Sequence, residues 1–215
     1  MHTSSPSHPR RAYWLKTLYE WHWVSSALCL VGMLLFALTG FTLNHAGQIE
    51  AKPRTHTAQA QLPAPILTQL QDLAATATSA ASAEAAVPAS LQNWTQQTLG
   101  VSLAQRIPEW STDELYIPLP RPGGDAWLRI DLQAGELEYE STDRGWISYF
   151  NDLHKGRHTG VAWSWFLDIF AAACLVFCLT GLFILYMHGA RRPMTWPLVG
   201  RGLVLPALLA LLLVH

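Results

Sequence analysis

The sequence has few charged residues. Asp, Glu, Lys and Arg make up only 13% of its 215 residues, and half of the residues are apolar. A soluble domain usually carries about 25% charged residues. The formal net charge is −1 and no basic stripe is present, which argues against a nucleic-acid partner. The composition indicates a membrane protein.

Cysteine is also scarce, and two sequence motifs are missing. Cys29, Cys174 and Cys178 all lie in apolar segments, so no disulfide framework is expected. There is no CxxCH motif, which excludes covalent c-type haem attachment. There is no GxGxxG motif either, so a pyridine nucleotide or a flavin would have to be bound by a partner.

Three long apolar runs are present and predict transmembrane helices over residues 18–45, 161–188 and 198–215. The first run, from about Trp23 to Leu43, has roughly the 20 residues that cross a bilayer core. The first run is too long for a signal peptide, and no A-x-A-like cleavage site follows it. The sequence therefore predicts a membrane α-helical bundle of three spans.

Positive charges predict the orientation of these spans. Basic residues precede the first span and separate the second from the third: Arg10, Arg11, Lys16, Arg191, Arg192 and Arg201. By the positive-inside rule, residues 1–17 and 189–197 are cytoplasmic. The long segment between the first two spans then lies outside, which in a bacterial inner membrane means the periplasm.

This outer segment divides into two parts, a stretch of low complexity and a stretch with helix and strand signals. Residues 48–88 are rich in Ala, Thr, Gln and Pro and indicate a linker, within which Pro65–Ala86 is compatible with a helix. A second short helix is predicted over Ser90–Leu99. Four strand-like stretches follow, separated in part by hairpin turns: "SLAQRIPEW", "ELYIPLP", "DAWLRIDL" and "GELEYEST". Residues 46–145 are thus predicted to hold a linker and an α+β domain, and residues 146–160 an aromatic segment at the membrane interface.

Six of the nine histidines flank the predicted spans: His22, His45, His154, His158, His188 and His215. His22 and His45 would lie about 35 Å apart along a straight helix, close to the membrane thickness. The predicted topology places His22 with His188 on the inside, and His45 with His154 or His158 on the outside.

Histidines from two spans on each side are what two bis-imidazole haems need. We therefore predict two haem b groups with His22, His45, His154 and His188 as axial ligands. The alternative is that interfacial histidines are amphipathic anchors, as Trp and Tyr are. Helix–helix packing would likewise explain the small residues that accompany these histidines.

A short repeat supports the haem hypothesis. The first span contains "LFALTGFTL" and the second "FCLTGLFIL", and a histidine follows each Thr-Gly pair. Because the two spans run in opposite directions, the two pairs lie near opposite faces of the membrane, as inverted repeats do. Gly40 and Gly181 would leave room for a flat macrocycle beside their helices.

The second span has two further candidate residues near its start. A continuous helix from His154 to His188 would be about 51 Å long, too long for the bilayer, so a break near Gly156 or Gly160 is predicted. Such a break favours His154 as the ligand and leaves His158 as a reserve ligand, propionate partner or anchor. Asp168 is a candidate for supporting a ligand histidine or relaying protons, or alternatively reaches water or Arg157 near the interface.

These features together resemble the PepSY-associated transmembrane family. The resemblance rests on a first span that opens on a histidine and ends in "LTGF", an outer α+β segment, and "LHKGRHTG" leading into a span that ends "LTGLFILYMH". The stretch "AWLRIDLQAGELEYES" is similar to the end of a PepSY domain. The resemblance implies a haem-b inner-membrane protein and assigns ligand roles to His22 and His154. Larger relatives have at least a fourth span, so a homodimer or a partner subunit would complete the site here.

Three functions remain open from the sequence. The first is a haem-dependent oxidoreductase or electron-transfer subunit, which passes electrons from a cytoplasmic reductase or a quinol to a periplasmic ferric siderophore or flavoprotein. The second is a membrane-anchored module that binds proteins or regulates without redox activity. The third is a transporter or metal-handling protein whose histidines line a path.

Overall fold

The computed structural model describes residues 9–49, 52–77, 86–189 and 192–214. The elements in chain order are α1 (Pro9–Asn44), β1 (Arg54–Gln61), α2 (Ala64–Ala77), α3 (Ala89–Thr98), β2 (Glu109–Trp110), β3 (Glu114–Pro118), β4 (Gly124–Asp131), β5 (Glu136–Asp143), α4 (Trp146–Lys155), α5 (Val161–His188) and α6 (Thr195–Leu213). They form two compact units. The first unit comprises the chain up to Leu35 and from Trp165 onward, and the second runs from Phe36 to Ser164.

Among the described residues, three helices are long and apolar enough to cross a membrane: Ala12–Asn44 of α1, together with all of α5 and α6. No charged residue occurs between positions 21 and 44 of α1, and Asp168 is the one charged residue of α5. A helix satisfies all its internal backbone groups, which makes it suitable for crossing lipid. This finding confirms the predicted three spans. His215, expected at the end of the third span, lies outside the described residues.

In the first unit, a glycine of α1 leaves room for an aromatic side chain of α5. Gly32 faces the ring of Phe170, and a side chain on Gly32 would overlap that ring. One turn earlier, Cys29 is fully buried and its thiol donates to the carbonyl of Ser25 at 2.8 Å. Small residues at helix contacts are typical of membrane helix pairs.

The second unit is built on a five-stranded antiparallel sheet with the strand order β1-β5-β4-β3-β2. The three central strands are joined by short hairpins, with Ile130 opposite Leu115 on one side and Leu137 on the other. These residues are fully or almost fully buried. The sheet between the first two spans confirms the predicted combination of a membrane bundle and an α+β domain.

Helices α2 and α3 pack on one face of this sheet. Alternation along β4 sends Ala126, Leu128 and Ile130 to that face and leaves the intervening side chains on the other. The buried cluster contains Leu62, Leu70, Ala74, Val87, Leu91, Leu103, Leu115, Ile117, Leu119, Ala126, Leu128, Ile130, Leu132 and Leu137. One continuous core therefore stabilises the domain.

The linker predicted over residues 48–88 was wrong in part. Residues 54–61 of this stretch form β1, an edge strand that pairs with β5 over its whole length. The sequence of β1, "RTHTAQAQ", has no apolar alternation, because most of its side chains are exposed. An edge strand held by backbone hydrogen bonds needs little apolar patterning, which is why the sequence did not reveal it.

The other predicted elements differ mainly in extent. The helix expected over Pro65–Ala86 is described as Ala64–Ala77, and residues 78–85 lie outside the described residues. The helix expected over Ser90–Leu99 is present as α3. The stretch "SLAQRIPEW" contributes only the two residues of β2.

Helix α4 is separated from α5 by the predicted break. Gly156 ends α4 in the left-handed conformation with φ of 65°, and Gly160 has φ of 80° immediately before α5 begins. The N–H of Arg157 donates to the carbonyl of Asp152 at 2.9 Å, as in glycine-terminated helices. The indole of Trp163 then donates to the carbonyl of Leu153 at 2.9 Å and fixes the turn between the two helices.

The turn between β4 and β5 depends on one carboxylate. Oδ1 of Asp131 accepts the N–H groups of Gln133 at 2.7 Å and Ala134 at 2.8 Å. These backbone hydrogen bonds hold the pKa of the Asp131 carboxyl below its ordinary value. The contribution of the carboxylate to stability is therefore present above the pKa of the unfolded chain and is lost as the pH falls through the lower folded pKa.

We expect Asp131→Ala to lower the melting temperature of the full chain at neutral pH, because two turn N–H groups lose their acceptor. Asp131→Asn keeps an acceptor oxygen and should lose less. The gap between the wild type and Asp131→Asn should narrow below about pH 4, as the wild-type carboxyl becomes protonated. Melting curves recorded across pH measure this, and a gap that stays constant in acid would contradict it.

A second prediction concerns the contact between α1 and α5. Gly32→Val should lower the melting temperature of the detergent-solubilised chain, because the new side chain overlaps Phe170, and overpacking of this kind costs about 1–3 kcal/mol. Gly202→Val in α6 is the matched control, since nothing lies within 4 Å of a Cβ at that position. Equal losses from the two substitutions would show that the contact is unimportant.

Candidate functional site

In the first unit, His22 of α1 lies against one turn of α5. Its Nδ1 is 3.0 Å from Oγ1 of Thr180 and 3.2 Å from the carbonyl oxygen of Phe177. The imidazole stacks on the ring of Phe177, with centroids 4.6 Å apart and planes inclined by 15°. Gly181 lies beside the imidazole, where a Cβ would be 3.2 Å from Cε1 of His22. We call His22, Phe177, Thr180 and Gly181 the His22 cluster.

In the second unit, His154 in the last turn of α4 has an equivalent environment on α1. Its Nδ1 is 2.6 Å from Oγ1 of Thr39. The imidazole contacts the ring of Phe36, with centroids 4.7 Å apart. A Cβ on Gly40 would lie 3.7 Å from Cε1 of His154. We call His154, Phe36, Thr39 and Gly40 the His154 cluster.

Hydrogen bonding within the helices assigns the protons of both histidines. The hydroxyl of Thr180 donates to carbonyl oxygens of its own helix, at 2.7 Å to Val176 and 3.0 Å to Phe177. The hydroxyl of Thr39 donates in the same way to the carbonyl of Phe36 at 3.2 Å. Each threonine therefore offers a lone pair to the histidine, whose Nδ1–H donates. Nε2 of each ring is then the nitrogen that remains for a ligand.

The two clusters are built from the same five-residue motif. Residues 36–40 read "FALTG" and residues 177–181 read "FCLTG", identical at four of five positions. In each cluster the phenylalanine, the threonine and the glycine contact one histidine through the same atoms. The pairing is reciprocal, because the histidine that precedes the first motif binds the second motif, and the histidine that precedes the second binds the first.

The remaining predicted ligands are near the ends of their helices. Nδ1 of His45 donates to the carbonyl of Phe41 at 3.0 Å, one turn back along the chain. Nδ1 of His188 donates to the carbonyl of Ile184 at the same distance, and its ring lies 6.2 Å from that of Tyr19. In both histidines, as in His22 and His154, Nδ1–H is the donor, and Nε2 takes no part in these bonds.

The structure places the two secondary candidates in exposed positions. His158 is exposed, in the turn between α4 and α5, with φ of 58°. Asp168 is exposed on α5, and within the described residues it has no hydrogen bond or ion pair. The pairing of His22 with His188, and of His45 with His154, stays a prediction, as does the role of Asp168.

Two polar residues that hold the helix of His154 in place could not be identified from the sequence. Asn151, one turn before His154, accepts the hydroxyl proton of Thr42 at 2.7 Å. The buried carboxylate of Asp152 accepts the N–H of Gly123 at 2.9 Å and so fastens α4 to the sheet domain. These polar residues face inward on an amphipathic helix, and no spacing rule identifies their partners, which lie far away in the sequence.

The described part of the chain contains no cluster of three or more His, Cys, Asp or Glu side chains that could hold a metal ion. Haem iron differs from such an ion, because the porphyrin supplies four of its ligands and the protein at most two.

The hydrogen bonds to the two threonines lead to a prediction about stability. Thr39→Val should destabilise the full chain by about 1–3 kcal/mol, because it leaves Nδ1–H of His154 without its acceptor. Thr180→Val should cost less, because Nδ1–H of His22 still reaches the carbonyl of Phe177. Denaturant titration of both variants in detergent measures the difference.

Thr39→Ser is the matched control for this prediction, since it keeps the hydroxyl and removes only a methyl group. It should remain close to the wild type. If Thr39→Val and Thr180→Val lose the same stability, the second acceptor of His22 has no energetic role.

Comparison with known proteins gives one result that covers nearly the whole chain. The model of the PepSY_TM-like family matches residues 13–215, which includes both histidine clusters, the sheet domain and all three membrane-spanning helices. Neither the curated proteins nor the solved structures contain a significant match. The match is far longer than half of the chain, and the chain therefore belongs to the PepSY_TM-like family.

Proposed function

We propose that this protein is a haem-b membrane protein that passes electrons across the bacterial inner membrane. The observation that carries the proposal is the duplicated histidine cluster, in which Thr39 and Thr180 hold the Nδ1–H groups of His154 and His22. A histidine that ligates a metal through Nε2 almost always donates its other ring N–H to a fixed acceptor. Both clusters have this arrangement within the protein itself.

The residues fit a haem in chemical terms. Imidazole is a common axial ligand of haem iron, and two imidazoles per iron favour electron transfer over binding of oxygen. When bound, haem b supplies reversible one-electron transfer at its iron. His22 and His154 would be the principal ligands of the two haems, and His188 and His45 the candidates for the second protein ligand of each.

The other residues of each cluster have defined tasks. The threonine hydroxyl fixes the tautomer of the histidine and makes Nε2 a better donor to a metal. The phenylalanine ring restrains the imidazole through an aromatic contact in each cluster. Gly40 and Gly181 keep the helix surface beside the imidazole free of side chains.

The partners follow from the sequence and the proposed orientation. With residues 1–17 in the cytoplasm and the sheet domain in the periplasm, electrons would enter from a cytoplasmic reductase or a quinol. They would leave to a ferric siderophore, whose Fe³⁺ accepts one electron and becomes Fe²⁺, or to a flavoprotein. A second copy of the chain or another membrane subunit would complete the bundle, because three spans give few helices to enclose two haems.

The test is the visible spectrum of the full chain purified from bacterial membranes. We expect a sharp α-band on reduction with dithionite and about two haems per chain. His22→Ala and His154→Ala should each remove about one of them, because each substitution takes away a principal ligand. Haem content by the pyridine haemochrome assay, per mole of protein, measures this.

His56→Ala is the matched control, since its side chain is exposed outside the two clusters. It should keep the full haem content. A colourless protein, or a His22→Ala variant with wild-type haem content, would reject the proposal. The non-redox module anchored in the membrane would then be the better description.

A further inference from the structure

A cavity of about 510 Å³ opens where the chain leaves α1 and where α4 begins, entirely within the second unit. We call it the basic pocket. Its lining includes three cations, Lys52, Arg54 and Arg144, and three uncharged residues, Ile49, Trp146 and Ser148. It is separate from the His154 cluster, none of whose residues lines it.

The cations of the basic pocket have no ion-pair partner in the part of the chain that the structure describes. Among the described residues, Lys52, Arg54 and Arg144 have no carboxylate within ion-pair distance. The carboxylate of Asp143 also lines the pocket, and its Oδ1 already accepts the N–H of Gly145 at 2.7 Å. Three cations against one engaged carboxylate make the pocket attractive to an anion.

The backbone of α4 adds to this attraction. Gly145 precedes the helix with φ of 85°, and no side chain caps the helix start. The first backbone bond across the helix start runs from the N–H of Tyr149 to the carbonyl of Gly145. Trp146, Ile147 and Ser148, which all line the pocket, therefore begin the helix at the positive end of its dipole.

The surroundings of the pocket indicate where this anion comes from. Ala46 and Ile49 line it directly after the membrane-spanning part of α1, which ends at Asn44. Trp146, which lines the same pocket, is 71% exposed, and Phe150 on the same helix is 45% exposed. Exposed aromatic side chains near a span are typical of the lipid headgroup region.

The uncovered face of the sheet has the opposite charge. The sheet face not covered by α2 and α3 carries seven carboxylates and one cation: Glu109, Glu114, Asp125, Asp131, Glu136, Glu138, Glu140 and Arg129. Burial and, after it, three of these carboxylates raise the pKa of the Tyr116 hydroxyl on the same face. An anion approaching the domain would be repelled from this face and attracted to the pocket beside the membrane.

From this we infer that the basic pocket binds the phosphate group of an anionic phospholipid, with Lys52, Arg54 and Arg144 as its cationic partners. The pocket's membrane-side lining and its exposed aromatic residues favour a lipid over free phosphate, which shares the same anionic group. The inference does not depend on haem. It concerns how the sheet domain is held against the membrane, since Asn151 lines the pocket and also bonds to Thr42 of α1.

The test uses the full chain, extracted from vesicles of equimolar phosphatidylglycerol and phosphatidylcholine with identical acyl chains. Native mass spectrometry then counts the lipids retained on each protein molecule. We expect a strong preference for phosphatidylglycerol. The double variant Arg54→Gln/Arg144→Gln should reduce this preference about 25-fold, at roughly fivefold per cation removed near a charged membrane surface.

Lys155→Gln is the matched control. Lys155 is an exposed cation at the other end of α4 and does not line the pocket. It should leave the preference within about twofold of wild type, since a single exposed charge contributes little by itself. Melting curves of all variants verify that each is folded, which is expected because the substituted side chains are exposed.

Three results would overturn the inference. The first is equal retention of phosphatidylcholine, which would mean that only apolar contacts hold the lipid. The second is equal loss in Lys155→Gln and the double variant, which would indicate general attraction to the surface. The third is displacement of the bound lipid by millimolar inorganic phosphate, which would identify a site for the free anion.

Discussion

The two histidine clusters share one hydrogen bond, from an imidazole Nδ1–H to a threonine hydroxyl, and in the His22 cluster the carbonyl of Phe177 is a second acceptor. The threonine can accept this bond because its own proton is bound to a carbonyl of the preceding helical turn. A threonine in a membrane helix has few other partners, so its side chain oxygen is available where two helices meet. The bond has three effects at once: it joins two elements distant in sequence, selects the tautomer of the histidine, and directs Nε2 away from the helix.

The reciprocal use of the two motifs constrains the rest of the chain. The histidine on α4 must reach Thr39 of α1, and this requires the helical path to be interrupted before α5 begins. Gly156 and Gly160 provide that interruption, because both adopt positive φ values that side chains with a Cβ rarely tolerate. The sheet domain then holds α4 in place through Gly123, whose N–H donates to Asp152. An added Cβ on Gly123 would lie 2.7 Å from the backbone of Tyr149, so glycine also permits this close approach.

Charge in the sheet domain is separated by position, which gives the domain a preferred orientation at a surface. Uncompensated cations lie around the start of α4, near the end of the first span, and carboxylates dominate the uncovered face of the sheet. Lipid phosphates would attract the first region, whereas a partner that meets the second region must tolerate or complement negative charge. The near-zero net charge of the whole chain conceals this separation.

The sequence by itself determined the three spans, the antiparallel hairpins and the break near Gly156, because long apolar runs, alternation and glycine are local signals. It also marked His22, His154 and both Thr-Gly pairs as unusual. It did not reveal β1, whose polar side chains follow no pattern because backbone pairing alone holds that edge strand. Only the tertiary structure decided that His22 lies against Thr180 and His154 against Thr39. Both hydrogen bonds link residues more than 100 positions apart, and the choice of partner depends on how helices pack rather than on any spacing along the chain.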